Sequence, residues 1–229
     1  MINLPDFTEQ KMYDYETFYH LTMNLDRVSK YVIHYEAMKM VQNIPGAVIE
    51  CGVFKGTSFA RFSLFRELFG NFNSKKLIAF DVFSDDFPDT KFEEDKKIRE
   101  DWINTAGGSS ISADQLSMVL DRNEIKNYQL IEGDVLNTIP QYVNKNKGLK
   151  ISLLNIDIDF VEPTYCALEN LYPLVMPGGI VLLDNYAGES PEGIALHGDT
   201  KGVDDYFNDK DIKIRQFPFA GRPCYIIKE

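Results

Sequence analysis

The chain has 229 residues, 44% hydrophobic and 26% charged, with 35 acidic against 24 basic side chains and a formal net charge of −11. That length supports one α/β domain with a full core, and the acidic balance argues against nucleic acid and anionic membranes as partners, since both need cationic surfaces. Three cysteines (Cys51, Cys166, Cys224), no apolar run of membrane-spanning length and no signal- or transit-peptide features lead us to expect a cytoplasmic, single-domain protein.

Residues 1–45 are aromatic-rich and helical in pattern. Tyr31, Val32, Tyr35, Met38 and Val41 recur at helical spacing behind a cap at Asp26 or Ser29, and Pro45-Gly46 breaks the helix. This extension suits either a cap over a substrate site or a contact in a homo-oligomer, and the sequence leaves both open. His20 and His34 lie in it, and each reads as a packed or surface side chain rather than a ligand.

Ala47, Val48 and Ile49 form a short apolar run that reaches an acid at Glu50. Gly52 and Gly56 follow, and a helical pattern resumes with Phe59, Phe62, Leu64 and Phe65. Strand, glycine turn and helix form the opening unit of a doubly wound sheet, whose ligand crevice lies at the strand's carboxyl end. The spacing E-x-G-x-x-x-G departs from the dinucleotide fingerprint G-x-G-x-x-G, because position 54 is Phe where a middle glycine would let the backbone approach a pyrophosphate. Glu50 would also set a carboxylate against phosphate, at a Coulombic cost. A ligand with cationic groups and no phosphate suits the turn better, and S-adenosylmethionine, with its ammonium and sulfonium, meets that description.

Lys76 to Asp81 reads as the second strand, and Asp81 at its tip is placed to accept from ribose hydroxyls. The charged run Ser84 to Asp101 reads as a solvated face, with a loop at Gly107 to Ser112. Its position after a strand's carboxyl end makes it a candidate lid. Asn127 to Asp134 forms the third strand, and Leu136 to Asn146 a helix whose start Pro140 restricts. Lys150 to Asp157 is a fourth, nearly continuous apolar strand, as expected where helices cover both faces. A helix is expected from Glu162-Pro163, with proline in its first position and Leu168, Leu171 and Tyr172 inward. Met176 to Gly179 should turn into a fifth strand, Ile180 to Asp184. A polar loop from Asn185 to Asp199 then leads to a short helix around Val203 to Phe207. Ile212 to Phe217 and Pro223 to Lys228 have no parallel crossover between them and should pair antiparallel. The whole predicts a Rossmann-like α/β fold: a doubly wound, mostly parallel seven-stranded sheet with an antiparallel last strand, helices on both faces, and a helical extension (1–45) before the core (46–229).

Asp81, Asp157 and Asp184 end three of these strands, and a parallel sheet brings such ends to one edge. Clustered carboxylates repel unless something positive lies between them. Asp157, Asp184 and the adjoining Asn185 offer oxygen donors only, a set suited to a hard divalent ion such as Mg²⁺ or Mn²⁺.

The order of these motifs resembles class I S-adenosylmethionine-dependent methyltransferases, and more narrowly the macrocin O-methyltransferase family, over roughly residues 45–207. The residues that carry the resemblance are E-x-G-x-x-x-G, Phe80-Asp81, Gly133-Asp134, Asp157-Ile-Asp159, Leu-Tyr-Pro before Pro177-Gly178-Gly179, and Leu183-Asp184-Asn185. The family's D-S-F-x-G-x-P is altered here to Asp81-Val-Phe-Ser-Asp-Asp-Phe-Pro88. Its D-G-D-L-Y-E becomes Asp157-Ile-Asp-Phe-Val-Glu162, and its usual Asp-Asp becomes Asp184-Asn185, the pair seen in catechol-type enzymes. The resemblance implies a magnesium-dependent enzyme that methylates sugar hydroxyls of a small polyhydroxylated substrate. It puts Glu50, Gly52 and Gly56 around the methionine part of the cofactor, Asp81 at the ribose and Asp134 near the adenine. Asp157, Asp184 and Asn185 would bind the ion and Asp159 would act as general base. A catechol or phenol methyltransferase is the alternative within the class; a nicotinamide oxidoreductase and a cofactor-binding protein without catalysis are the alternatives outside it. His197 and Lys201 lie near this set but are given no catalytic part, although Lys201 could pair with an anionic group of the substrate.

Overall fold

The computed structural model describes residues 1–189 and 195–229. Two helices precede the sheet, α1 (Glu9–Thr22) and α2 (Leu25–Met40). Asn24 caps α2, its side chain accepting from the Arg27 N–H at 3.0 Å, so neither Asp26, in the first turn, nor Ser29 is the cap. The core strands and helices then alternate: β1 (Ala47–Cys51), α3 (Thr57–Phe69), β2 (Leu77–Asp81), α4 (Glu93–Ala106), α5 (Ala113–Arg122), β3 (Tyr128–Glu132), α6 (Val135–Lys145), β4 (Ile151–Ile156), α7 (Val161–Leu171), β5 (Val175–Leu183), α8 (His197–Phe207), β6 (Ile214–Gln216) and β7 (Cys224–Ile227).

The sheet has the order β3-β2-β1-β4-β5-β7-β6, with β1 to β5 parallel and β7 antiparallel to both β5 and β6. The strand order reverses between β1 and β4, and a crevice opens there at the carboxyl ends, where such folds bind ligands. Every residue of β1, β2 and β4 is buried, which explains their near-continuous apolar runs. Side chains alternate between two cores. Val48, Leu77, Ala79 and Leu153 join the layer of α2, α3 and α5, while Ile49, Ile78, Phe80 and Leu154 join the layer of α6, α7 and α8.

The doubly wound architecture and the antiparallel terminal pair are as expected, but several boundaries move. Pro140 lies inside α6 instead of restricting its start. Helix α7 begins at Val161, so Pro163 is its third residue, still within the turn whose N–H groups lack intrahelical partners. Met176 to Gly179 belong to β5 itself. Helix α8 starts at His197, six residues before the expected start, because the polar stretch ending at Asp199 enters the helix; of that expected loop, residues 190–194 lie outside the described residues. The charged run is not simply a solvated face: it includes the first nine residues of α4, of which Asp95 is fully buried. Among the described residues, no helix is long and apolar enough to cross a membrane.

Candidate functional site

The crevice begins at the glycine turn. Gly52 has φ +88°, and a Cβ there would lie 1.8 Å from the Asp157 carbonyl oxygen, so only glycine fits. Gly56, φ +81°, is the N-cap of α3 and faces Leu116 and Ile111. Phe54, at the position of the missing middle glycine, also has positive φ, +51°. The turn thus takes left-handed conformations at three positions, which aims its backbone at the crevice.

Asp81 fastens this turn from the neighbouring strand. Its Oδ2 accepts from the N–H groups of Val53 at 2.6 Å and Phe54 at 3.1 Å, and its Oδ1 from Phe83 at 2.7 Å. The expected ribose acid is therefore also the brace of the cofactor turn, with only its remaining lone pairs open to a hydroxyl. Asp134 caps α6 through the Leu136 N–H at 2.9 Å.

Glu50 lies fully buried beneath the turn, opposite its register partner Asn155, whose Nδ2 donates to Oε1 at 2.9 Å. Burial raises its pKa to about 8, against hydrogen bonds from Ser58 and Asn155 and with the Asp157 charge adding to the rise. Its Oε2 is buried without a hydrogen-bond partner. Burial thus favours the neutral acid at Glu50, and a cationic ligand group nearby would favour its ionisation.

On the other side of the crevice, Asp157 and Asp184 end β4 and β5. The ammonium of Lys30, reaching from α2, bridges them at 3.0 Å and 2.8 Å. The Lys30 ammonium loses hydration there, but the two carboxylates outweigh that loss and raise its pKa. Burial and the Asp184 charge push Asp157 up to about 8. Asp184 also suffers burial, yet Lys30 keeps its pKa below the ordinary value. Asp184 Oδ1 is buried and lacks a hydrogen-bond partner. Asn185 donates through Nδ2 to Asp159 Oδ1, and its Oδ1 accepts from Arg222.

Asp159 sits two residues beyond Asp157 with φ +71°, a conformation that costs a non-glycine residue on the order of 1–3 kcal/mol. Helix α8 packs so closely there that a Cβ on Gly198 would lie 1.9 Å from the Asp159 carbonyl oxygen. Burial, with the charges of Asp199 and Asp184, raises Asp159 to about 7 against Lys30 and Arg222. Asp199, almost fully buried, accepts from Thr164 Oγ1 at 2.8 Å and from the Asn185 N–H at 3.2 Å, fixing the backbone of the β5 tip.

The expected residues therefore gather on one edge: Glu50, Gly52, Gly56 and Asp81 on one flank, Asp157, Asp159, Asp184 and Asn185 on the other. The fit to a divalent ion rests on the oxygen donors of Asp157, Asp184 and Asn185 and on the unpartnered Asp184 Oδ1. Yet these donors are engaged by Lys30 and Arg222, and among the described residues no three His, Cys, Asp or Glu side chains are arranged to hold an ion. Sequence reasoning missed Lys30, Arg222, Asp95 and Asp199, whereas His34, expected to be a packed or surface side chain, is packed. His34 is fully buried and stacks on Phe62 at 4.5 Å; burial and the Lys30 charge lower it to about 3. The i,i+4 spacing of Lys30 and His34 is the one signal that could have marked their shared helix face. His197 instead pairs with Asp95, at 2.9 Å, and Lys201 with Asp205, at 2.7 Å.

A sheet of this order with an acid-tipped, glycine-turned crevice is the class I methyltransferase fold. The chain belongs to the macrocin O-methyltransferase (TylF) family, whose model matches residues 19–214. It is 25% identical over 177 residues to the 8-demethyl-8-(2,3-dimethoxy-alpha-L-rhamnosyl)-tetracenomycin-C 4'-O-methyltransferase of Streptomyces olivaceus; the match covers 76% of this chain and spans 65% of that relative's length. In structure it is similar to the calicheamicin methyltransferase CalS11, with a TM-score of 0.73 at 21% identity over 94% of this chain and 85% of that one. The O-methyltransferase NovP superposes with a TM-score of 0.67 at 18% identity, over 87% of this chain and 79% of that one.

Proposed function

We propose that this chain is an S-adenosylmethionine-dependent O-methyltransferase acting on a hydroxyl of a sugar, a sugar nucleotide or a glycosylated natural product, assisted by a divalent ion such as Mg²⁺. The observation that carries the reading is the direct contact of the glycine turn with the acid strand at Gly52 and Asp157. That contact sets a site for a cationic methyl donor beside carboxylates able to receive a hydroxyl. Family membership supports the reaction, and the tetracenomycin relative, named for a rhamnosyl substrate, supports a sugar.

In this reading Glu50, Gly52 and Gly56 border the methionine part of the cofactor, Asp81 the ribose and Asp134 the adenine. S-adenosylmethionine supplies the methyl group, carried on its sulfonium. Asp157, Asp184 and Asn185 would hold the divalent ion, which supplies charge stabilisation to the substrate oxygen and lowers the pKa of its proton. Asp159 takes that proton: it lies beyond the three donors, and its raised pKa, about 7, is near the optimum for a base at neutral pH. The rest of the acceleration comes from holding oxygen and methyl carbon in line, so no covalent intermediate with the protein is needed. The net charge of −11 and the scarcity of cysteine support a cytoplasmic enzyme working on free small molecules without nucleic acid or membrane partners. Helix α1, with Tyr13 and Phe18 exposed, is the candidate contact of a homo-oligomer.

The test is a methyl-transfer screen over sugar nucleotides, glycosides and catechols with Mg²⁺ present. Transfer to the first two supports the reading. Transfer to catechols alone shifts it to the phenol-type reaction that the Asp184-Asn185 pair also fits. Full turnover in excess EDTA removes the ion. Asp159→Asn should keep cofactor affinity while kcat falls about 10²- to 10⁴-fold, and unchanged turnover would reassign the base.

A further inference from the structure

Each side chain expected to hold a divalent ion is engaged by a cation of the protein itself. Lys30 contacts both Asp157 and Asp184, and Arg222 contacts Asn185 Oδ1. These cations come from opposite ends of the chain, Lys30 from the N-terminal extension and Arg222 from the stretch just before β7. The Lys30 contact is specific: Nζ lies at 2.8–3.0 Å from one oxygen of each carboxylate, with the lysine side chain only 22% exposed and that of Asp184 7%. Helix α2 aims it, because Ile33, Ala37 and Met38 anchor the helix in the core and leave Lys30 and His34 toward the acids.

We propose that Lys30 and a divalent cation are alternative occupants of the Asp157–Asp184 pair, so that the ion enters only as the Lys30 ammonium swings out. The inference rests on the ion-assisted reading above. One ammonium balances a single ionised carboxylate of the pair, whereas a divalent ion would neutralise both once Asp157 gives up its proton. A monovalent and a divalent cation also repel each other too strongly to share a pair of oxygens only one hydrogen bond away. Withdrawal is open to Lys30, because its four-carbon stem is flexible and its side chain keeps a path to solvent, being 22% exposed. The lysine therefore acts as a tethered counter-ion on a fixed helix, keeping the acids paired when no metal is bound.

Mn²⁺ alone is the probe, with free ion counted by its electron paramagnetic resonance signal during titration of the wild-type chain, Lys30→Met and Lys30→Gln. Competition predicts Mn²⁺ binding at least tenfold tighter in both variants than in wild type. It also predicts that Lys30 of the wild-type chain, protected from acetic anhydride without metal, becomes acetylated when Mn²⁺ is added. This second measurement needs no variant to fold. Equal affinity in all three chains, with Lys30 protected throughout, would overturn the competition and leave the ion-assisted reading standing. No binding by any of them would overturn both and make Lys30 the permanent counter-charge of the acids.

Discussion

Gly52 and Asp157 meet through their backbones with no space for a side chain: a Cβ on Gly52 would fall 1.8 Å from the Asp157 carbonyl oxygen. The Asp157 N–H donates to Cys51 O at 2.9 Å alongside it. The loop that ends β1 and the loop that carries the acids are therefore one rigid unit across the strand-order reversal. Gly52→Ala has to strain φ +88° and push β1 from β4, and we expect a loss of roughly 2–4 kcal/mol in unfolding free energy, read by urea denaturation. A variant as stable as wild type would mean that the two strands can part at no cost and that the contact does not set the site.

Glu50 gives the protein a pH dependence of definite sign. Its ordinary pKa of 4.5 rises to about 8 on burial in the folded chain. Between those values the unfolded chain has released the proton that the folded chain keeps, so stability falls as pH rises through the window. Asp159 and Asp199, both raised to about 7 with burial as the leading cause, act in the same direction. Glu50→Gln removes one contributor, and the stability lost by wild type between pH 4.5 and 8 should shrink by an amount on the order of 3 kcal/mol. Parallel curves for wild type and variant would show that Glu50 titrates normally. If the cofactor ammonium lies beside Glu50, binding S-adenosylmethionine at pH 7 should also release a proton, visible as a dependence of the calorimetric heat on buffer ionisation enthalpy.

Asp95 ties the charged segment to the body of the protein. Its carboxylate, fully buried, accepts from the Val161 N–H at 3.1 Å and pairs with His197 Nδ1 at 2.9 Å. Asp95→Ala leaves the Val161 donor and the histidine without their acceptor, at an expected cost of about 2–3 kcal/mol. It should also speed tryptic cleavage at Lys96, Lys97 and Arg99 in the native state. Unaltered cleavage would show that the segment is held by other contacts, including the bonds of Thr90 and Lys91, just before α4, to Glu162.

Much of the fold was legible because it is written in local patterns. Nearly continuous apolar runs such as Ile151 to Ile156 marked strands buried on both faces, and the helical spacing of Phe59, Phe62 and Phe65 marked α3. Errors gathered at helix ends. The α7 start depends on how the helix packs, and a proline is tolerated across a first turn, as Pro163 shows, whereas Pro140, the sixth residue of α6, lies past that turn, where a local rule places a helix break. Asp95 was misjudged for a related reason: in a run of charges, nothing local distinguishes the one that meets Val161 and His197.

Strand-end position alone determined that Asp81, Asp157 and Asp184 would share an edge with the glycine turn, because a parallel sheet orders its carboxyl ends by topology. What each acid faces was decided only by the folded chain. Asp81 braces Val53 and Phe54, burial favours the neutral acid at Glu50 beneath the turn, and Lys30 closes on Asp157 and Asp184 from 127 and 154 residues away. Periodicity reports which face of an element is buried, since that is a property of neighbouring residues. Protonation and pairing depend instead on the charges and lost hydration that surround a group, and those arise only when distant segments pack together.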